Sequence, residues 1–550
     1  MQKTCRHCQI TFPIRPEDLA FYEEMQVPPP TLCYLCRMQR RLSFRSERFL
    51  YHRKCDLTGK QMISTYSTDK PFPVYEMDAW WSDDWDAKSY GRDFDFSRPF
   101  FDQFFELRDQ VPRTARIQQK PMENSEYCNT AGHCKNCYLC FSTSTSEDCY
   151  YGTFVNFCKT CVDNTNVRDS EICYECVNCT NSYAVRYSRD CKNCSSSMFL
   201  RSCIGCKDCF GCYNQVQKQY MIFNEQKTKE EYEAFMKTIK TGSFAQIEEL
   251  KKQFNEFSKH LIVKEYYGTN NENSIGNYIN NCKNTYYAFE CDNVEDVAYS
   301  TCIYKSKNAM DHSYWGEGTE KTYECQACGY GSYNLKFCNL CATNCSDLTY
   351  CDHMFTSKNC FGCVGMKQAE YCILNKQYTK EEYEELVPKI ITHMKNTGEF
   401  GEFFPAGKSQ YAYNETLAYE QMPLTKEETL ARGWKWKDED ESSKYEGPNI
   451  TLPDNINDAP DEITKNILTS TLSGKTYKII TQELEFYREH QIPLPRLTPN
   501  ERHYERLKMR NKRAMYDRTC AKCHKPITTT YSPDRPETVY CEKCYLETVY

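Results

Sequence analysis

The sequence predicts a mainly β chain with helical insertions, built as two parallel β-solenoid arrays of about 18 residues per coil, a period that belongs to stacked repeats, held between two copies of one end module. Three observations predict it. Cysteines recur at a fixed interval in the middle of the chain, that middle is itself duplicated, and the two ends of the chain align with each other at a constant offset.

The interval comes first. Cys140, Cys158, Cys176, Cys194 and Cys212 each fall on the eighteenth position after the last, beside a column Cys137, Val155, Cys173, Cys191, Cys209 and a third of Cys149, Val167, Val185, Cys203, Met221. A fixed period this short indicates stacked turns of one structure. At ~3.3 Å per residue it gives a perimeter of ~60 Å, enough for three short strands per coil. Helical solenoid repeats need about 33 residues or more, and the abundant Asn, Ser, Gly and Tyr disfavour helix. Where Val or Met stands in for Cys the slot is apolar, so the thiols read as small buried hydrophobes. A ladder of thiolates storing Cu(I) or zinc is the open alternative.

A second array follows at an offset of 151, with Cys209-Phe210-Gly211-Cys212 matching Cys360-Phe361-Gly362-Cys363. Cys325 and Cys328 fall one position out of step with Cys173 and Cys176, which predicts bulges or loops there. Each array ends in a capping box, Thr228 to Glu231 and Thr379 to Glu382, opening a helix that is expected to cover the open strand edge. An amphipathic helix from about Phe244 to Leu261 separates the arrays. The division expected is an amino-terminal module 1–80, an aromatic and acidic connection 81–121, array one 122–226, a helical insert 227–267, array two 268–376, a capping helix 377–400, an acidic flexible linker 401–464, and a carboxyl-terminal module 465–550. The aromatics of residues 80–110 are read as packing onto the body.

Cys5-x2-Cys8 with Cys33-x2-Cys36, and Cys520-x2-Cys523 with Cys541-x2-Cys544, each have the form of a zinc ribbon. Two knuckles place four sulfurs on one metal at ~2.3 Å, and four thiolates leave no open position, so the sites are structural. Zn2+ is expected, two per chain, with rubredoxin-like iron as the rival. Cys520 to His524 also fits a c-type haem attachment, which the second pair downstream argues against.

At an offset of 465, Asp18-Leu19-Ala20-Phe21-Tyr22 faces Glu483-Leu484-Glu485-Phe486-Tyr487, and Pro28 and Pro30 fall on Pro493 and Pro495. One module is present twice, and each copy has kept a different metal site. Thr58, Glu76 and Ala79 replace three thiols around Cys55 in the first copy; Ser470, Ser473, Thr498 and Glu501 replace four in the second. Arg37, Arg41, Arg45 and Arg48 follow helical spacing, and Arg502, Arg506, Arg510 and Arg513 occupy the same four positions in the second copy. A solvated face or pairing with the protein's own carboxylates is the favoured reading, since the chain is acidic and Glu501, Glu505 and Asp517 dilute the second stripe; the functional alternative is phosphate contact along a nucleic-acid backbone.

With a net charge of −7, any nucleic-acid site must be local. There is no apolar run of ~18 residues and no signal segment at the amino terminus, so a cytoplasmic protein with reduced thiols is expected. No P-loop, dinucleotide-binding glycine motif, H-E-x-x-H or G-x-S-x-G occurs, which points away from an enzyme.

The stretches Pro28-Pro29-Pro30-Thr31-Leu32-Cys33, Cys55-Asp56-Leu57-Thr58-Gly59-Lys60, Asn124-Ser125-Glu126-Tyr127 and Tyr531-Ser532-Pro533-Asp534-Arg535-Pro536 carry a resemblance. Along nearly its whole length the chain resembles an uncharacterised family of bacterial zinc-ribbon, cysteine-rich repeat proteins of candidate-phylum lineages, sometimes labelled as CoA-transferases. The resemblance implies no established activity, and the cysteine period leaves little room for a CoA-transferase core. The expectation is a zinc-binding scaffold or adaptor contacting a protein or RNA, with no membrane and no small-molecule substrate. The alternatives are an RNA- or ribosome-associated protein and a metal-storage tube.

Overall fold

The computed structural model describes residues 1–438, 447 and 450–549. In the middle of the chain, strands pair in parallel with the strand one turn later. Thr153 lies beside Thr165 and Thr165 beside Val177; further on, Ser195 lies beside Lys207 and Lys207 beside Gln219. Each partner stands twelve positions after the last, so the turn is twelve long and not the eighteen read from the cysteine columns.

The backbone gives the reason. Every third residue from Thr130 to Phe223 is left-handed, with φ +52° at Asn136 and +53° at Asn178. Each such residue turns a corner, and four three-residue sides close one turn. The cysteine interval is one and a half turns: the cysteines report the three-residue unit, and fully extended geometry overestimates the perimeter. A left-handed residue other than glycine costs roughly 1–2 kcal/mol, least for Asn and Asp. The corners offset that cost by stacking, as Asn166 Nδ2 donates to Asn178 Oδ1 at 2.9 Å and Asn178 Nδ2 to Asp190 Oδ1 at 2.9 Å.

One position of each triplet faces inward, and it carries mostly Cys, with Ser, Val, Ala and Thr between. The thiols act as donors to backbone: Cys137 Sγ reaches Lys135 O and Ser146 O, both at 3.4 Å, and Cys176 Sγ reaches Val185 O at 3.3 Å. Burial pushes the Cys140 and Cys176 thiols up while sulfur neighbours draw Cys137 and Cys173 down, so the shield common to all four is their burial. With a bulky thiol reagent, the native chain should therefore show a fast phase no larger than the two exposed thiols, Cys8 and Cys523, and react at all 37 only in denaturant. A fast phase covering most of the cysteines would mean the interior is open.

The second array has the same geometry with two departures: its first turn is one position short, with Gly268 beside Ile279 and Glu272 beside Lys283, and later turns are one position too long. Glu295 pairs with Lys307 at the regular twelve-position step, but Lys307 with Glu320, Glu320 with Tyr333 and Tyr333 with Ser346 each stand one position further apart. The regular step returns with Ser346 and Lys358. The added residues show as consecutive left-handed pairs, Tyr314–Trp315 and Thr343–Asn344, and as the Gly329–Gly331 bend. Around Cys325 and Cys328 the irregularity is thus one extra residue per turn.

Each array closes on a hairpin. Met221 pairs antiparallel with Gln226, and Cys372 with Gln377, so the last strand edge is covered by the chain's own return. Both capping boxes form, with Thr228 N to Glu231 Oε2 at 2.8 Å and Thr379 N to Glu382 Oε2 at 2.9 Å. The helices they open, Lys229–Thr238 and Lys380–Asn396, lie along the flanks rather than over the ends. Tyr232 joins Phe199 and Phe210, and Ile390 and Met394 join Tyr350 and Phe361. The separating helix spans Phe244–Phe257.

The aromatic connection packs inward, with Trp80, Phe100 and Phe104 buried. The expected flexible linker 401–464 is corrected on both sides of its centre. Residues 439–446 and 448–449 lie outside the described residues, but Phe403, Tyr413 and Leu417 before them, and Ile456 and Ile463 after them, are buried. Polarity averaged along the segment conceals these widely spaced apolar anchors. Among the described residues no helix is long and apolar enough to cross a membrane.

Candidate metal centres and the arginine clamps

Each end module brings four sulfurs together. The Sγ atoms of Cys5, Cys8, Cys33 and Cys36 all lie within 4.8 Å of one another, as do those of Cys520, Cys523, Cys541 and Cys544. In the first cluster the antiparallel strands Gln2–Thr4 and Thr11–Pro13 present one knuckle, and the start of the Tyr34–Leu42 helix presents the other. In the second, the strands Tyr516–Thr519 and Pro526–Thr529 and the Glu542–Val549 helix do the same. Cys8 and Cys33 are 3.7 Å apart, and so are Cys523 and Cys541. A tetrahedron of sulfurs at ~2.3 Å from a metal has edges of ~3.8 Å, so the donor set fits one ion per cluster.

In each cluster one thiol is drawn down while neighbours are pushed up, Cys8 and Cys36 in the first and Cys541 and Cys544 in the second. Burial raises Cys520, yet the backbone N–H groups of Cys523, Cys541 and Lys522 outweigh it and hold the thiol at about 6. A hydrogen bond from Cys36 leads the set that holds Cys33 at about 5, against burial. Among the described residues these are the two groups in which three or more His, Cys, Asp or Glu converge as metal ligands. The interior cysteines of the arrays do not converge in this way, and the geometry lends nothing to a loaded tube.

At the positions that match the other copy's thiols, a carboxylate takes part in the local contacts. Glu501 accepts from Ser470 Oγ at 2.6 Å and from Thr498 N at 2.8 Å. In the first copy Glu76 lies 3.5 Å from Thr58 Oγ1 and 3.5 Å from Lys60 Nζ, and its N–H donates to Cys55 Sγ at 3.3 Å.

The arginines pair with the protein's own acids, one of the readings the spacing left open. The helices end at Leu42 and Lys508, so Arg45, Arg48, Arg510 and Arg513 lie beyond them. Arg37, Arg41, Arg45, Arg48, Arg502, Arg506 and Arg513 are buried and Arg510 nearly so. Arg37 Nε and Arg41 Nη1 hold the two oxygens of Asp311 at 2.7 and 2.8 Å. Arg502 Nη1 and Arg506 Nη1 hold those of Asp163 at 2.6 and 2.8 Å. Arg45 pairs with Glu47, Arg48 donates to Thr153 Oγ1, and Arg510 and Arg513 share Glu290. None faces a phosphate backbone. Helical spacing identifies a face but not what covers it, and apart from Glu47 the covering carboxylates lie hundreds of residues away.

The two clamps match residue for residue, and Arg41 and Arg506 match atom for atom. Arg41 reaches Ser313 Oγ and Tyr299 O, and Arg506 reaches Thr165 Oγ1 and Tyr151 O. Tyr299 OH donates to Asp18 Oδ2 at 2.7 Å, and Tyr151 OH to Glu483 Oε2 at 2.6 Å. The first module's leading half thus docks on array two, and the second module's on array one. The trailing halves sit the other way round: Val74–Tyr75 pairs with Arg113–Thr114 before array one, and Thr538–Tyr540 with Ile262–Lys264 before array two. Each module therefore ties both arrays together. The offset between the arrays is three positions shorter at Asp163 and Asp311 than at Cys209 and Cys360, which accounts for the three lengthened turns between them.

Glu290 supplies a pH signature. Burial alone would raise its carboxyl, but Arg513 and Arg510 hold it at about 2, below the ordinary 4.5. A depressed carboxylate contributes stability that is complete above the unfolded value and lost as pH falls through the folded one. The destabilisation caused by Glu290→Gln should be largest at neutral pH and shrink between pH 4.5 and 2. Urea unfolding midpoints of both proteins across that window check it, and a pH-independent difference would contradict it.

Neither a protein-family model nor a curated protein matches the sequence.

Proposed function

We propose that this chain is a zinc-stapled double β-solenoid that serves as a rigid scaffold or adaptor for a protein partner. The observation that carries the reading is that each end module, with its four convergent sulfurs, bridges both arrays. A closed four-sulfur site organises structure and leaves no position for substrate, and stacked repeats present extended surfaces suited to partners. Thirty-seven cysteines, all free, support a reducing, cytoplasmic setting. The reading also accords with the resemblance to candidate-phylum zinc-ribbon repeat proteins, and nothing in the clusters supplies the carboxylate nucleophile that a CoA-transferase would require. RNA contact through the arginine stripes is not carried forward, because those side chains are consumed inside the molecule.

Elemental analysis of the purified protein tests it. Two zinc ions per chain are expected, one for each cluster. Stoichiometric iron with thiolate-to-iron absorption would replace zinc by a rubredoxin-like centre, and a much larger metal load would overturn the structural reading in favour of storage.

A further inference from the structure

A cleft of about 1120 Å3 opens between the two arrays, floored by the tryptophan segment that leaves the first module. It exceeds the roughly 300–1,000 Å3 of ordinary small-molecule sites, so it suits a chain of several rings better than a single one. Three features of its lining define an occupant.

The first is aromatic surface. Trp81, Phe157 and Tyr330 line the cleft and stay 46, 48 and 37% exposed. Trp315 lies edge-on to Tyr330 with centroids 5.5 Å apart. The three lengthened turns add their extra residues at this same corner, around Tyr314–Trp315, Gly329–Gly331 and Thr343–Asn344. Array two thus abandons its regular turn where it faces the cleft, and departures of this kind concentrate at functional sites.

The second is neutral hydrogen-bonding capacity. Gln119, Thr343, Thr356 and Gln368 line the walls, are exposed, and their amide and hydroxyl groups are not used within the described chain. The third is charge. Arg45 pairs with Glu47, Arg168 with Asp169 and Lys305 with Glu317. Lys88 donates to Gln377 Oε1, and Lys367 to Trp80 O beneath three indole rings. Arg116, Lys88 and Lys367 are the lining cations among the described residues with no ion pair, and of the three Arg116 alone makes no side-chain hydrogen bond, its buried Nε and Nη1 included.

We propose that this cleft binds a short oligosaccharide bearing a carboxylate, with ring faces stacked on Trp81, Trp315 and Tyr330, hydroxyls met by Gln119, Gln368, Thr343 and Thr356, and the carboxylate placed at Arg116. Aromatic faces combined with planar amides match the apolar faces and hydroxyl edges of sugars, and a guanidinium matches a carboxylate in a fork geometry. A single-stranded nucleic acid would need a track of free cations, whereas Lys88 and Lys367 are engaged by Gln377 and Trp80 and the acids Asp83, Asp86 and Asp292 line the same cleft. A peptide adding as a strand would need unpaired backbone, but Ser144 of the wall already pairs with Gly132 on one side and Asn156 on the other. The inference goes beyond the scaffold reading and does not rest on the metal clusters, so failure of one leaves the other standing.

Calorimetric titration of the full chain with trigalacturonate, trimannuronate and a hyaluronan tetrasaccharide tests it, with cellotriose and oligouridylate as comparators. At least one uronate oligomer should bind, about tenfold or more tightly than cellotriose. Trp81→Ala and Tyr330→Ala should each weaken it at least about tenfold, and Arg116→Gln should erase the preference for the charged oligomer, with metal content and unfolding midpoint unchanged. The proposal is overturned if no uronate oligomer binds below about 1 mM, if the Trp81→Ala/Tyr330→Ala double variant binds as well as the parent, or if oligouridylate binds more tightly.

Discussion

Asparagine in place of Asp311 should destabilise the chain by about 3–5 kcal/mol, because it leaves two buried guanidinium groups without their counter-charge. Arg37 and Arg41 reach opposite oxygens of this one carboxylate, and Arg41 is 0% exposed. The amide keeps one acceptor and no charge. Asp163→Asn should cost less, since Arg506 loses its counter-charge in the same way while Arg502 keeps Glu483 at 3.4 Å. The clamp's net worth is a separate matter. A buried ion cluster replaced as a whole by apolar side chains is often neutral, so Arg37→Met/Arg41→Met/Asp311→Leu should recover most of the loss. Urea denaturation of the four proteins decides it, and a cost below about 1 kcal/mol for Asp311→Asn would show that the clamp is not a buried charge cluster.

What the sequence disclosed is what a local or periodic signal encodes. The two four-cysteine sets were legible because metal geometry constrains spacing within each knuckle, and their convergence follows. The capping boxes were legible because a Thr and a Glu three residues on satisfy each other's backbone amides. The duplicated module was legible from its offset, and the matched contacts of Tyr299 with Asp18 and Tyr151 with Glu483 show the copies docked alike.

The turn length was not legible, because a cysteine in every inward slot marks only the triplet. Four triplets or six give the same columns when the slots between hold Val, Ser or Cys alike. What distinguishes them is the left-handed residue at each corner, and the Asn and Asp recurring there, as at Asn166, Asn178 and Asp190, were the available signal. The fate of the arginines was hidden for another reason. Asp163 and Asp311 sit among many surface acids in the sequence, and nothing local marks them as the residues that two modules close over. The cleft was hidden too, since its walls come from arrays that meet only in the folded chain.

The second large effect concerns the metal. Cys541→Ser should reduce the bound metal from two ions to one, and the loss should be regional rather than global. Structural zinc in zinc-finger peptides contributes an apparent ~10–16 kcal/mol at neutral pH, more than either clamp. Cys541 follows directly on Thr538–Tyr540, the strand paired with Ile262–Lys264, and Leu261 and Val263 share an apolar cluster with Cys520, Cys541 and Cys544. Amide hydrogen exchange should therefore rise at Ile262–Lys264 and in the first turns of array two, while Arg502 and Arg506 keep the same module's leading half on array one. Cys33→Ser should give the complementary pattern, loosening the Tyr34–Leu42 helix over Asp311 and sparing the pairing of Val74 with Arg113. This division follows from the crossed docking, in which each module holds one array by its metal-bearing half and the other by its remaining half. Uniform loss of protection across both arrays, or none, would mean that the metals do not act as separate staples.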